Sequence, residues 1–313
     1  MTGAVRLIDK IKLRAEILER IRHYFAESNV LEVTTPVLSF AGNTDPFIDS
    51  FKTSSTTPQY LHTSPEFFMK RLLTKGCGSI YQVCNVFREG EAGRFHNPEF
   101  SMLEWYRLDY DYQQLMDDVA ALIRNVSDKS PEVVKISYQD AFKSLGINPH
   151  VATESQLADL TERQGISLQG MGKMSRDDWL NLLMSHVTEP GFDKEKLTFV
   201  FDYPVSQASL AKVRKDKYPL AERFELYWGG IELANGFTEL LDADEQRWRF
   251  NHDNQRRLKA GLEEVPVDEK FLDALARGLP ACSGVALGLD RLLMVICGAT
   301  SIDQVMSFPQ SEV

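Results

Sequence analysis

Apolar residues recur at Ile8, Ile11, Ala15, Leu18, Ile21 and Phe25. Steps of three and four predict an amphipathic helix that ends near Ser28-Asn29, with Lys10, Lys12, Glu16, Glu19 and Arg20 in water. A strand pattern at Val30, Leu31 and Val33 runs into Thr35-Pro36, and residues 42–60 are polar and turn-rich, as in a loop. Two longer strands, 79–88 and 100–108, flank a polar stretch and predict an antiparallel hairpin. Residues 112–126 and 154–188 are expected to be helical. The second run lies in a partly helical insertion, 130–196, that carries Gly165, Gly170 and Gly172. Strands return at 197–203, 223–228 and 231–240, followed by a helix at 245–260 and a strand-to-helix turn across 284–295. Hairpins separated by helices predict an α+β fold around an antiparallel sheet, and residues 1–313 are expected to form a single domain.

Composition narrows the class. The 313 residues are 43% hydrophobic and 26% charged, which excludes disorder, collagen and coiled-coil arrays. No run of about 18 apolar residues occurs. The best, 285–296, is broken by Asp290 and Arg291, so no membrane association is expected. Cys77, Cys84, Cys282 and Cys297 show no Cys-x-x-Cys spacing and the histidines do not cluster, which points to a cytoplasmic protein without a zinc site. A net charge of −10 makes nucleic acid an unlikely general partner.

Three clusters carry candidate chemistry. Along the second hairpin strand Phe100, Met102, Glu104 and Tyr106 share one face, while Leu103, Trp105 and Arg107 share the other, which is the natural core face. Arg88 at the end of the incoming strand would meet an anion lying on the first face. Glu104 paired to a neighbouring Arg, with Tyr106 capping the core, is the structural alternative. In the second cluster Gly229-Gly230 suggests a tight turn that brings Glu225 and Glu232 onto adjacent strands. Two such carboxylates suit Mg²⁺ arriving with a nucleotide, or are simply exposed strand glutamates. In the third, a helix begins near Gly288 and places Arg291 in its first turn, where the macrodipole disfavours a cation. An anion such as a phosphate would justify it; an ion pair with Asp290 is the competitor.

In this order and spacing the clusters resemble the three motifs of class II aminoacyl-tRNA synthetases. Residues 31–38, ending around Thr35-Pro36, are similar to the first motif, which in that family builds a homodimer interface. Phe87-Arg88 through Tyr106 resembles the second, and 284–291 the third. Thr63-Ser64-Pro65-Glu66, His96-Asn97-Pro98-Glu99-Phe100 and Ala234-Asn235-Gly236-Phe237 resemble lysyl-type members most closely, and the likeness runs from about Lys12 to Phe308. Lysyl-tRNA synthetases carry an N-terminal anticodon-binding barrel, for which a first motif starting by residue 31 leaves no length. A barrel-less core with Leu103-Glu104-Trp105-Tyr106-Arg107 and 282–288 resembles the elongation factor P β-lysine ligases. That family activates (R)-β-lysine with ATP and transfers it to a lysine side chain of elongation factor P.

The resemblance implies roles residue by residue. Arg88 would hold the α-phosphate, and Arg291 would bind the γ-phosphate and cover the adenine opposite Phe100, making these two the catalytic residues. Asn97, Leu233 and Gly288 would contact ATP, and Glu225 and Glu232 would hold Mg²⁺. Ser64, Pro65, Glu66, Tyr106, Asn235, Glu239 and Ala286 would form the pocket for lysine or β-lysine. Many lysyl-type members carry a Glu two positions after the motif-two Arg, where this chain has Gly90, so Glu89 or Glu91 would substitute beside the adenine. Ala286 stands where lysyl-tRNA synthetases have Gly. A barrel-less tRNA lysine ligase is the nearest rival; a non-catalytic paralogue should have lost Arg88, Arg291, Glu225 or Glu232, and all four are present.

Overall fold

The computed structural model describes residues 6–167 and 174–313, so Gly170 and Gly172 of the predicted insertion lie outside the described residues. Helix α1 (Leu7–Glu27) leads into β1 (Leu31–Glu32), then a short ladder of β2 (Leu38–Ser39) with β3 (Tyr60–Leu61). Helix α2 (Glu66–Leu73) precedes the hairpin β4 (Ile80–Phe87) and β5 (Glu99–Leu108), whose register runs from Ile80 opposite Tyr106 to Phe87 opposite Glu99. Helix α3 (Tyr112–Val126) starts in a reciprocal cap between Asp111 and Gln114, which satisfies two free backbone N–H groups. The insertion contributes β6 (Val133–Ser137), α4 (Tyr138–Ala141), α5 (Glu154–Arg163) and α6 (Arg176–Leu183). The chain then returns through β7 (Leu197–Pro204), β8 (Val213–Arg214), β9 (Leu220–Trp228) and β10 (Ile231–Thr238). Helices α7 (Ala243–Lys259) and α8 (Glu269–Gly278) precede β11 (Cys282–Gly288) and α9 (Leu289–Cys297).

Among the described residues the main sheet runs β1-β4-β5-β11-β10-β9-β7-β6, with β8 beside β9. Its centre is antiparallel, and only the edge pairs β1–β4 and β6–β7 are parallel. Alternation divides the two faces. Leu103, Trp105, Val285, Leu287, Phe224 and Leu226 pack under α1, α3 and α9 in the main core. Glu104, Tyr106, Ala286, Asn235, Arg223 and Glu225 stand on the opposite, open face, where cavities form. A register shift between Glu232 and Ala234 lets both Leu233 and Ala234 enter the core while Glu232 stays on the open side.

Three expectations need correction. The apolar stripe of α1 is buried only at Ile17, Ile21 and Phe25; Leu7, Ile8 and Ile11 are exposed. Tyr81 and Trp105, which receive Phe25 at ring distances of 4.3 and 5.6 Å, lie under the second half of the helix. The insertion, expected only as partly helical, begins with a strand the sequence did not predict, because β6 extends the sheet parallel to β7. Its second helical run is divided into α5 and α6, the latter continuing into a π-helical turn at Met184–Thr188.

Candidate active site

Helix α2 opens at Pro65, and the Ser64 hydroxyl accepts the backbone N–H of Glu66 at 3.3 Å. This turns Glu66 into a pocket of about 220 Å³. One helical turn later the Lys70 side chain, 2% exposed, places Nζ 2.5 Å from Glu66 Oε1 and 2.5 Å from Glu239 Oε2. Phe237 and Phe271 present their rings to the same ammonium at 5.2 and 5.8 Å. Burial alone would discharge Lys70, but the charges of Glu239 and Glu66 outweigh it and hold the pKa above the ordinary lysine value.

Glu104 is the third carboxylate here. It accepts the Tyr106 hydroxyl at 2.7 Å through Oε1, while Oε2 is buried without a partner. No Arg pairs with it, so the structural alternative for Glu104 does not hold. Burial, reinforced by the charge of Glu66, pushes the Glu104 pKa up, and burial pushes Glu239 up to about 8 despite Lys70. Glu239 Oε1 also lacks a hydrogen bond and faces Gly284, where an added Cβ would lie 2.7 Å from it. Glu66 and Glu239 thus share one internal ammonium, and Glu104 feels its charge without contacting it. Together the three carboxylates and Lys70 carry a formal surplus of two negative charges, which matches a ligand with two ammonium groups.

A second cavity, about 340 Å³, shares Arg88, Met102, Arg223, Asn235 and Ala286 with the first. Arg88 therefore stands where the two ligands would meet, with a buried Nε that has no partner and a guanidinium 5.1 Å over the Phe100 ring. Arg291 enters from the first turn of α9 and donates to the carbonyls of Glu232 at 3.0 Å and Phe95 at 3.2 Å. It also reaches His96 Nε2 at 2.7 Å. Burial, aided by the Arg291 charge, lowers the His96 pKa and keeps that ring neutral as an acceptor. Asp290 points elsewhere: it holds Arg14 at 2.5 Å and the Ser101 N–H at 2.7 Å, so the Asp290–Arg291 pair does not form.

Glu225 and Glu232 reach the open face from adjacent strands, Glu232 opposite Tyr227 and Glu225 opposite Asn235. Glu225 accepts the hydroxyls of Tyr203 at 2.7 Å and Tyr227 at 2.5 Å, and pairs with Arg223. Burial and the Glu225 charge raise the Glu232 pKa, a cost that a divalent cation between the two would remove. The donor set fits Mg²⁺.

Residues 4–312 match the family described as tRNA synthetases class II (D, K and N). The chain belongs to that family. It is 47% identical over 309 residues to the elongation factor P–(R)-β-lysine ligases of Salmonella gallinarum and Salmonella dublin, covering 96% of this chain and 95% of each relative. As a class II synthetase with ligases as relatives, it is an ATP-dependent amino-acid ligase.

Within this synthetase fold Ser64, Glu66, Tyr106, Asn235 and Ala286 line the first cavity. Asn97, Phe100, Glu232, Leu233, Gly288 and Arg291 line the second, with Arg88 in both. Pro65 borders neither and acts through the cap of α2; Glu239 lies beneath the pocket behind Lys70. Of the two candidate adenine readers, Glu91 lines the second cavity, 3.5 Å from Arg88, whereas Glu89 bonds through its backbone to Asp49 outside it. Gly90 supplies the turn between them at φ +81°. The Asn97 amide is spent on backbone, donating to the Glu99 carbonyl at 2.6 Å and accepting the Gln310 N–H at 3.0 Å. Lys70, Arg223 and His96 were not among the sequence candidates, and Glu104 was placed on the right face without a role.

Proposed function

We propose that this chain activates a lysine-type diamino acid, (R)-β-lysine, with ATP and transfers it to a lysine side chain of elongation factor P. The observation that carries the reading is the pocket floor, where Glu66, Glu104 and Glu239 surround a single Lys70. Near-full-length identity to ligases with that name supports the substrate and the acceptor. The amino-acid carboxylate attacks the α-phosphorus, a new P–O bond forms, and pyrophosphate leaves with the electrons of the bridging bond. Arg88, at the wall common to both cavities, stabilises the charge that develops on the α-phosphate, and Arg291 holds the distal phosphates. Mg²⁺ between Glu225 and Glu232 would neutralise phosphate charge. The acceptor amine then bonds to the carbonyl carbon, the acyl–phosphate C–O bond breaks, AMP leaves, and the amine gives up its surplus protons to solvent. Positioning and electrostatics suffice, without a covalent enzyme nucleophile.

The same reading includes a single catalytic domain and a homodimer. Leu31, Val37, Leu38 and Phe40, around Pro36, are exposed large apolar side chains on the stretch that resembles the family's dimer motif. No described helix is long and apolar enough to cross a membrane, and the four cysteines are unpaired, which supports a cytoplasmic enzyme. Amino-acid-dependent pyrophosphate–ATP exchange across the lysine isomers tests the activation step. Highest exchange with (R)-β-lysine is expected, with loss of at least a hundredfold in Arg88→Ala and Arg291→Ala, about 3 kcal/mol. Exchange in those variants at the wild-type rate would contradict it.

A further inference from the structure

The open face of the sheet continues past Glu225 into a third cleft, about 620 Å³, whose far wall is α6 and the turn after it. Among the described residues seven carboxylates line it against two arginines, and five of the seven lie outside the Glu225–Glu232 pair proposed for Mg²⁺. Asp177 and Asp178 come from α6, Glu189 from the following turn, Asp253 from α7 and Asp45 from the loop before β3. Both arginines are already engaged, Arg223 with Glu225 and Arg256 with Asp253 at 3.7 Å.

Tyr138 is an independent sign of a ligand. Its side chain is 1% exposed and lines the cleft, and its hydroxyl makes no hydrogen bond among the described residues. The neighbouring hydroxyls of Tyr203 and Tyr227 both donate to Glu225. The Tyr138 side chain is buried but for its edge on the cleft, so its free hydroxyl is available to a group that enters there. The surplus of negative charge repels pyrophosphate and nucleic acid and draws in a cation. Ile48 and Arg223 line this cleft and both cavities described above, so an occupant of the cleft reaches the junction at which the adenylate carbonyl would stand.

We infer that this acidic cleft is where the acceptor protein docks, through a cationic segment next to the lysine that is modified. The inference rests on the proposed function and specifies how its second substrate is recognised. It is tested with full-length enzyme, (R)-β-lysine, ATP and elongation factor P, measuring exchange and transfer separately. In Asp177→Asn/Glu189→Gln/Asp253→Asn, exchange is expected within twofold of wild type while the KM for elongation factor P rises at least tenfold. Tyr138→Phe is expected to raise that KM severalfold with exchange unchanged. Wild-type transfer should weaken steeply with added salt while exchange does not, a readout that needs no variant. An acceptor KM that neither the substitutions nor salt moves overturns the cleft assignment. Absence of exchange with every lysine isomer in wild type would instead overturn the proposed function itself.

Discussion

Glu104 and Glu239 each keep a buried oxygen without a partner, and both carboxyls are held above the usual range by burial. An entering ammonium stabilises the charged form of Glu104 at the pocket wall and, by charge alone from across Lys70, that of Glu239, so binding favours them deprotonated. Affinity for the amino acid is therefore greatest above about pH 8, the value for Glu239, and falls as the pH drops through it. The loss is about tenfold per pH unit for one proton taken up. The expected result is a KM for the amino acid that rises from pH 8 to 6 while the KM for ATP stays flat; parallel profiles would contradict it. Ala286 sits on the wall between the cavities, opposite Glu104 on one neighbouring strand and Asn235 on the other. In the proposed reading its methyl would fill space that a glycine would leave beside the α-position of the ligand. Ala286→Gly is expected to raise kcat/KM for α-lysine relative to β-lysine, by about 1–3 kcal/mol of discrimination. An unmoved ratio in exchange kinetics would make Ala286 a packing residue only.

At the scale of elements, β11 is the strand on which the pocket depends. At Gly284 the Tyr106 ring and the Glu239 carboxylate close over the position of a Cβ, so any side chain would displace the ammonium-binding groups. Gly284→Ala is expected to raise the KM for the amino acid at least tenfold with a smaller effect on ATP, measured by exchange. Equal losses for both ligands would indicate a disturbed fold instead. The hairpin β4–β5 and the side chains it sends to each face were legible in the sequence, because period-two alternation of Leu103 and Trp105 against Glu104 and Tyr106 is unambiguous. Helix α2 and strand β6 were not: one is eight residues, the other five, too short for a periodic signal. Lys70 was hidden for a different reason. Four residues after Glu66 it looks like an ordinary helix-surface ion pair, and only the tertiary approach of Glu239 buries it. Arg291 was readable because a cation in a first helical turn needs an anion; the structure turns Asp290 away to Arg14 and sets Glu232 3.6 Å from Arg291.

For the whole molecule, exposed apolar side chains at Leu31, Val37, Leu38 and Phe40 lie on and just after β1, the edge strand that pairs with the start of β4. A second copy covering this edge is the homodimer of the proposed reading. Light scattering at micromolar concentration is expected to give twice the chain mass of 35.6 kDa, and a monomer would contradict it. The three cavities meet at Arg223 and Ile48, one floored by Glu66 and Glu104, one lined by Arg88 and Arg291, one acidic and open. That layout predicts two successive transfers on one face of one sheet. The most direct measurement is intact-protein mass spectrometry of elongation factor P after incubation with this enzyme, ATP and (R)-β-lysine. A mass gain of one β-lysyl group on a lysine side chain, dependent on ATP and absent with Arg88→Ala, is the predicted result. Unmodified elongation factor P, with the amino acid found on tRNA instead, would contradict it.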